Sequence, residues 1–93
     1  MRTIKRTAQF KRAYKREKRG QHRTDLDEKL YAVVQLLITD APLPERMHDH
    51  PLNGNLKDCR DCHIKPDLVL IYRKPKDNSL ELVHLGSHAE LNI

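Results

Sequence analysis

Leu68-Val69-Leu70-Ile71-Tyr72 is the most apolar run in the chain, and it sets the architecture. The run is short, β-branched and aromatic, with Pro66-Asp67 before it and Lys74-Pro75 after it. Such a run reads as a fully buried central strand. With 93 residues, only 38% of them hydrophobic, the chain has room for a single domain over residues 1–93 with one modest core. One sheet with a helical layer on one face is about what it can bury. The strand is fed directly by Cys59-Arg60-Asp61-Cys62-His63, so polar and reactive side chains sit on a rigid support. The same five residues match the C-x-x-C-H pattern of c-type haem attachment.

Charge is placed unevenly. Residues 1–23 hold ten Lys/Arg against Glu17 alone, whereas the remaining 70 hold eight against twelve acids. A basic segment on a mildly acidic body is the footprint of a polyanion binder, and its density is self-repulsive without a counter-charge. The alternative is a solvated helix face. No stretch has 18 consecutive apolar residues, so no membrane span is expected. No apolar segment follows the basic N-terminal residues in the manner of a signal peptide, so a cytoplasmic protein with reduced thiols is expected.

In chain order, Arg2–Arg6 predicts a short first strand with Ile4 as its core residue. Thr7 can cap a helix running to about Arg19, with Gly20 just past its end. Ala8, Phe10, Ala13, Tyr14 and the stem of Glu17 form its apolar stripe, and Lys11, Arg12, Lys15, Arg16, Lys18 and Arg19 fill the basic remainder. Thr24-x-x-Asp27 resembles a capping box, and acids Asp25, Asp27 and Glu28 suit a helix N-terminus. Leu26, Leu30, Val33, Val34, Leu37 and Ile38 then make a broad apolar face, closed by Thr39-Asp40-Ala41-Pro42. The two helices should form an αα-hairpin. Residues 40–55 read as a long polar connection holding His48-Asp49-His50-Pro51. From Leu56 the chain is β, with strands over Leu56–Ile64, Leu68–Lys74 and Leu80–Leu85. In the last, Leu80 and Leu82, with His84 as a candidate third, should share a face opposite Glu81, Val83 and Leu85.

The haem reading fails on context. Attachment needs an exported protein and a helical setting, whereas this segment alternates as a strand and meets Pro66. On a strand Cys59, Asp61 and His63 face one way and Arg60 and Cys62 the other. The two cysteines would then be about 10 Å apart at Cα, too far for a disulfide and divergent for zinc, although His48, His50 and His88 add possible ligands. No haem, metal or other cofactor is expected.

Six histidines in 93 residues is many. Metal-free RNA cleavage needs a base for the 2′-OH, an acid for the leaving 5′-oxygen and cations for the phosphorane. Histidine suits proton transfer near neutral pH, and His50, His63 and His88 lie at loop or strand-end positions.

Three motifs follow one another: His50-Pro51-Leu52-x-Gly54, then Arg60-Asp61-x-His63-x-x-Pro66-Asp67-x-x-Leu70-Ile71-Tyr72-Arg73, then Leu85-Gly86-Ser87-His88-x-x-Leu91. In this order they resemble the YafQ branch of the RelE/ParE superfamily of bacterial toxins, over nearly the whole chain. The resemblance implies an α+β RelE-like fold: a short N-terminal strand, an αα-hairpin, then an antiparallel β-meander with the helices on one face. It implies a type II toxin that cuts messenger RNA in the ribosomal A site and is silenced by a cognate antitoxin of DinJ/RelB type. It implies catalytic roles for His50, His63, Asp67 and His88, with His88 best suited as general acid and the base left open among the other three. Asp61, Arg60 and Arg73 would contact RNA, together with Lys11, Arg12, Lys15 and Arg16 of the basic helix. Asn92 stands where the YafQ pattern has a phenylalanine, which bears on base stacking by the C-terminal residues. Two rival functions share the fold or the charge: a ParE-like gyrase poison, which lacks the histidine set, and a non-catalytic RNA-binding module.

Overall fold

A computed structural model describes residues 1–93. Strand β1 (Thr3–Arg6) leads into helix α1 (Ala8–Arg19), helix α2 (Leu26–Ile38) and a 3₁₀ turn at Glu45–Met47. Strand β2 (His50–Pro51), a second 3₁₀ turn (Gly54–Leu56), strands β3 (Arg60–Lys65), β4 (Leu68–Arg73) and β5 (Ser79–Gly86), and the short helix α3 (His88–Leu91) complete the chain. The sheet order is β1-β5-β4-β3-β2. Strands β2 to β5 form an antiparallel meander, and β1 joins β5 in parallel. The expected α+β architecture is therefore the observed one.

Leu68 to Tyr72 lies second from neither edge but at the centre of the sheet, and all five residues are buried. Its even-numbered side chains, Leu68, Leu70 and Tyr72, join the main core with Phe10 and Ala13 of α1 and Leu26, Val33, Val34, Leu37 and Ile38 of α2. Its odd-numbered Val69 and Ile71 meet Cys59 and Leu91 in a smaller cluster on the opposite face. The two clusters follow from the strand's period of two. The Thr7 Oγ1 cap of α1 is formed, accepting from the Phe10 N–H at 2.9 Å.

Four local expectations are corrected. Ile4 is 44% exposed, because β1 lies at the sheet edge where one side has no neighbour. Thr24 does not cap α2; Asp25 holds that position without a capping bond, its carboxylate taken by Lys65 Nζ at 2.8 Å. The segment from Leu56 begins as a 3₁₀ turn and becomes strand only at Arg60, while His50–Pro51, read as loop, is the far edge strand. Strand β5 changes face partway: its register against β4 jumps from Tyr72–Leu82 to Ile71–His84. The bulge adds one residue, so Leu85 rejoins Leu80 and Leu82 in the main core and His84 does not share their side.

Candidate active site

The helices cover one face of the sheet, and the site is built on the other. On β3, the alternation sends Cys62 into the main core and Asp61 and His63 to the opposite face. Cys59 packs with the smaller cluster on that same opposite face. The two thiols thus diverge, and burial pushes Cys62 up to about 12. Both are inert small core residues in this setting.

His63 meets His88 across a gap closed by α3. The two Nε2 atoms are 3.1 Å apart, and the ring centroids 4.8 Å. His88 is the first residue of α3, and the turn that carries it is tied down. Ser87 Oγ accepts from the Glu90 N–H at 3.2 Å, and Glu90 Oε1 accepts from the Ser87 N–H at 2.9 Å, a closed capping box. Arg16 reaches over from α1, donating to the Leu85 carbonyl at 3.2 Å and pairing with Glu90 at 3.4 Å. A Cβ on Gly86 would lie 3.2 Å from both Arg16 Nη2 and Glu90 Oε1, so a side chain there would press on the ends of the clasp.

His50 stands opposite Asp61 in the β2–β3 register. Its Nδ1 is 2.8 Å from the His48 carbonyl and 2.9 Å from Asp61 Oδ1. The carbonyl takes the hydrogen bond; the carboxylate is close but poorly aligned, and Oδ1 has no hydrogen-bond partner. Asp61 is only 1% exposed. Burial raises its pKa, and His50, His63 and His88 pull it back down. His63 is shifted the other way: burial and then His88 lower it, with Asp61 opposing. The His48 ring packs edge-on against His63 at 5.3 Å.

The segment carrying His48 and His50 is anchored by the residue between them. Asp49 accepts from Tyr72 Oη at 2.6 Å and from Arg60 Nε and Nη2 at 3.2 and 3.3 Å. This fork fixes a two-residue strand that has little pairing of its own. Beside His48 and His63 opens a cavity of about 790 Å³ whose walls include Lys29, Arg46 and Lys65.

The sequence expectations map onto this unevenly. His50, His63 and His88 converge around Asp61. Asp67 is exposed at the β3–β4 turn, and its contacts run to the helix linker: Gln21 Nε2 at 3.2 Å and the buried His22 Nε2 at 3.8 Å, with none to the three histidines. Asp61, expected against RNA, is buried beneath His50 and cannot reach a ligand directly. Arg60 is occupied by Asp49, Arg73 by Glu81 and Arg16 by the α3 clasp, whereas Lys11, Arg12 and Lys15 are exposed. Sequence reasoning missed the Asp49–Tyr72 anchor and the cations Lys29, Arg46 and Lys65. His48 was visible to it only as a possible metal ligand.

Comparison with known proteins agrees with this geometry. Residues 2–93 match the family described as the bacterial toxin of type II toxin–antitoxin system, YafQ. The chain is 40% identical over 67 residues to the mRNA interferase toxin YafQ of Escherichia coli K12, covering 72% of each chain. A copper-bound mutant toxin from Helicobacter pylori superposes with a TM-score of 0.86 at 35% identity, over 98% of this chain and 99% of that one. The E. coli DinJ–YafQ complex superposes with a TM-score of 0.80 at 37% identity, over 98% of each chain. Sheet, helical cover and histidine face define a small bacterial toxin of the RelE-like class. Within that class, the chain belongs to the YafQ family of type II toxin–antitoxin toxins.

Proposed function

We propose that this toxin is an mRNA interferase, an endoribonuclease that cuts messages held in the ribosomal A site without a metal ion. The observation that carries the reading is the His63–His88 pair, two imidazoles tilted toward each other with their Nε2 atoms 3.1 Å apart in a YafQ-family chain. His63, lowered by burial and by its neighbour, is suited to be neutral and to take the proton of the 2′-OH. As O2′ bonds to phosphorus, the P–O5′ bond breaks and His88 gives its proton to O5′. The products are a 2′,3′-cyclic phosphate and a free 5′-OH. The rings must part to admit the phosphate; once product leaves, their hydrogen bond lets the proton return from His63 to His88.

Asp61 supports this from below by placing negative charge beneath His50, which faces the phosphate. Lys29 and Arg46 line the approach for the message, Lys65 beside them being held by Asp25, and Lys11, Arg12 and Lys15 give α1 a phosphate-binding surface. Asp67 lies outside this histidine cluster, at the turn where it accepts from Gln21, and is given no part in the proton path. The toxin works in the cytoplasm and is held by an antitoxin of DinJ type, as in the E. coli complex. An ion held on both Nε2 atoms would block this proton path, so activity should persist in chelator.

The test compares wild type with His88→Ala for growth arrest and for cleavage of a ribosome-bound message. Loss of both supports the reading. Equal toxicity of the variant would leave a non-catalytic or gyrase-directed toxin of the same fold.

A further inference from the structure

His48 stands in the site with no part in the proton path. Its ring packs edge-on against His63, with centroids 5.3 Å apart, while His88 meets His63 at 4.8 Å. His48 and His63 both line the cavity of about 790 Å³, and His88 does not. The cavity therefore opens from the His63 end of the catalytic pair. It lies where the sheet runs out. Strand β2 pairs only with Arg60 and Asp61, so the outer edge of β3 from Cys62 onward has no strand neighbour. Helix α2 and the 3₁₀ turn at Glu45–Met47 wall that gap, with Ala32, Met47 and Ile64 supplying apolar surface. Of the three cations there, Lys65 is held by Asp25, whereas Lys29 and Arg46 have no ion pair. Glu28, the one acid in the wall, has none either. His48 itself ends the turn in the left-handed region, at φ 49°, a conformation that histidine and asparagine tolerate better than most residues.

We propose that this cavity holds the nucleotide on the 5′ side of the cut, with its base against His48. The proposal rests on the nuclease reading above and takes its polarity from it. The nucleoside that supplies the 2′-OH must lie against His63, which takes its proton. The one that leaves through O5′ must lie toward His88. The cavity is lined by His63 and not by His88, so it takes the first of the two. The base stacks on the His48 imidazole beside Met47, since every base offers a π-face to an aromatic ring. Glu28 can accept from an exocyclic amine of that base. The next phosphate in the 5′ direction meets Arg46 and Lys29 in charge-assisted contacts. An acidic peptide would use the two cations but has nothing to lay on His48. His48 is thus a specificity-determining residue, acting on the base that stands before the cut.

Nucleotide binding is read without cleavage, so failure here and failure of the nuclease reading are separable. The main probe is adenosine 3′-monophosphate, which can put its phosphate at the histidine pair and its base in the cavity. The 5′-monophosphate, whose base would point past His88, is the comparison, with inorganic phosphate and tetraglutamate as controls. Amide NMR of the full-length toxin should show saturable shifts at Met47, His48 and Ile64 with the 3′ isomer, bound about fivefold or more tighter than the 5′ isomer. His48→Asn, which suits the left-handed backbone, should weaken the 3′ isomer about fivefold with an unchanged thermal midpoint. Adenosine 3′,5′-bisphosphate should bind about tenfold tighter than the 3′-monophosphate, and Arg46→Gln should remove that gain alone. On ribosome-bound messages, His48→Asn should change the preference for the base 5′ of the cut and leave that for the base 3′ of it. Equal shifts from the two monophosphates, the same shifts from phosphate or tetraglutamate, or no saturation by about 10 mM would each overturn the proposal.

Discussion

His63 and His88 share one hydrogen bond at 3.1 Å, so in the free protein one ring donates and the other accepts. His63 titrates below its ordinary value because burial, then His88, disfavour its charge. Its protonation therefore opposes folding. The stability this group contributes is present above about pH 6.5 and is lost as pH falls from there through its folded value. Ring NMR between about pH 4 and 8 should place His63 below an ordinary histidine, and His88→Gln should move it upward. A His63 that titrates normally in both forms would contradict the pairing.

Asp61 keeps a carboxylate in a site that offers Oδ1 no hydrogen bond. Its folded pKa is raised by burial, so the stability it contributes is present below about pH 3.9 and is lost as pH rises through the folded value. Asp61→Asn should thus stabilise the fold at neutral pH by about 1 kcal/mol, or about 4–8 °C in midpoint. The gain should close in acid, and cleavage should fall as His50 loses its counter-charge. Paired melting curves at neutral and acid pH check the sign.

Tyr72 ties the central strand to Asp49 through its hydroxyl at 2.6 Å. Tyr72→Phe should cost about 1–2 kcal/mol in urea unfolding and loosen the segment that presents His48 and His50. Cleavage should drop more than the lost stability accounts for, because the fold remains intact at room temperature. Asp49→Asn should behave alike, since both substitutions cut the same anchor.

Arg16 was expected on the RNA, yet it clasps the turn that carries His88. Arg16→Gln should lower the single-turnover rate about tenfold or more by letting that ring drift. It should leave the salt dependence of ribosome association nearly unchanged. Replacing Lys11 and Lys15 together should do the reverse, flattening the salt dependence with little effect on the bound-state rate. Equal effects of the two changes on salt dependence would return Arg16 to the RNA-binding set.

Much of this fold was legible because it follows local periodicity. The Leu68–Tyr72 run named the central strand, Thr7 named the start of α1, and alternation alone separated Cys62 from Asp61 and His63. What escaped was set by tertiary contacts. Nothing local marks Ile4 as an edge residue, or the bulge that turns His84 away from Leu80 and Leu82. Thr24 looked like a cap, but the choice of cap rested on how the chain enters α2 beside Lys65. At the site, residue type and order pointed to His50, His63 and His88. Asp49, Lys29 and Arg46 carry no signature until the 45–51 segment is folded back over β3.

The assignment of acid and base is tested most directly by a message whose scissile 5′-oxygen is replaced by sulfur. A thiolate leaves without protonation, so the general acid becomes dispensable while the base does not. On ribosome-bound substrate, the sulfur should restore His88→Ala to near the wild-type rate and leave His63→Ala impaired. No rescue of His88→Ala, or equal rescue of both variants, would contradict the account.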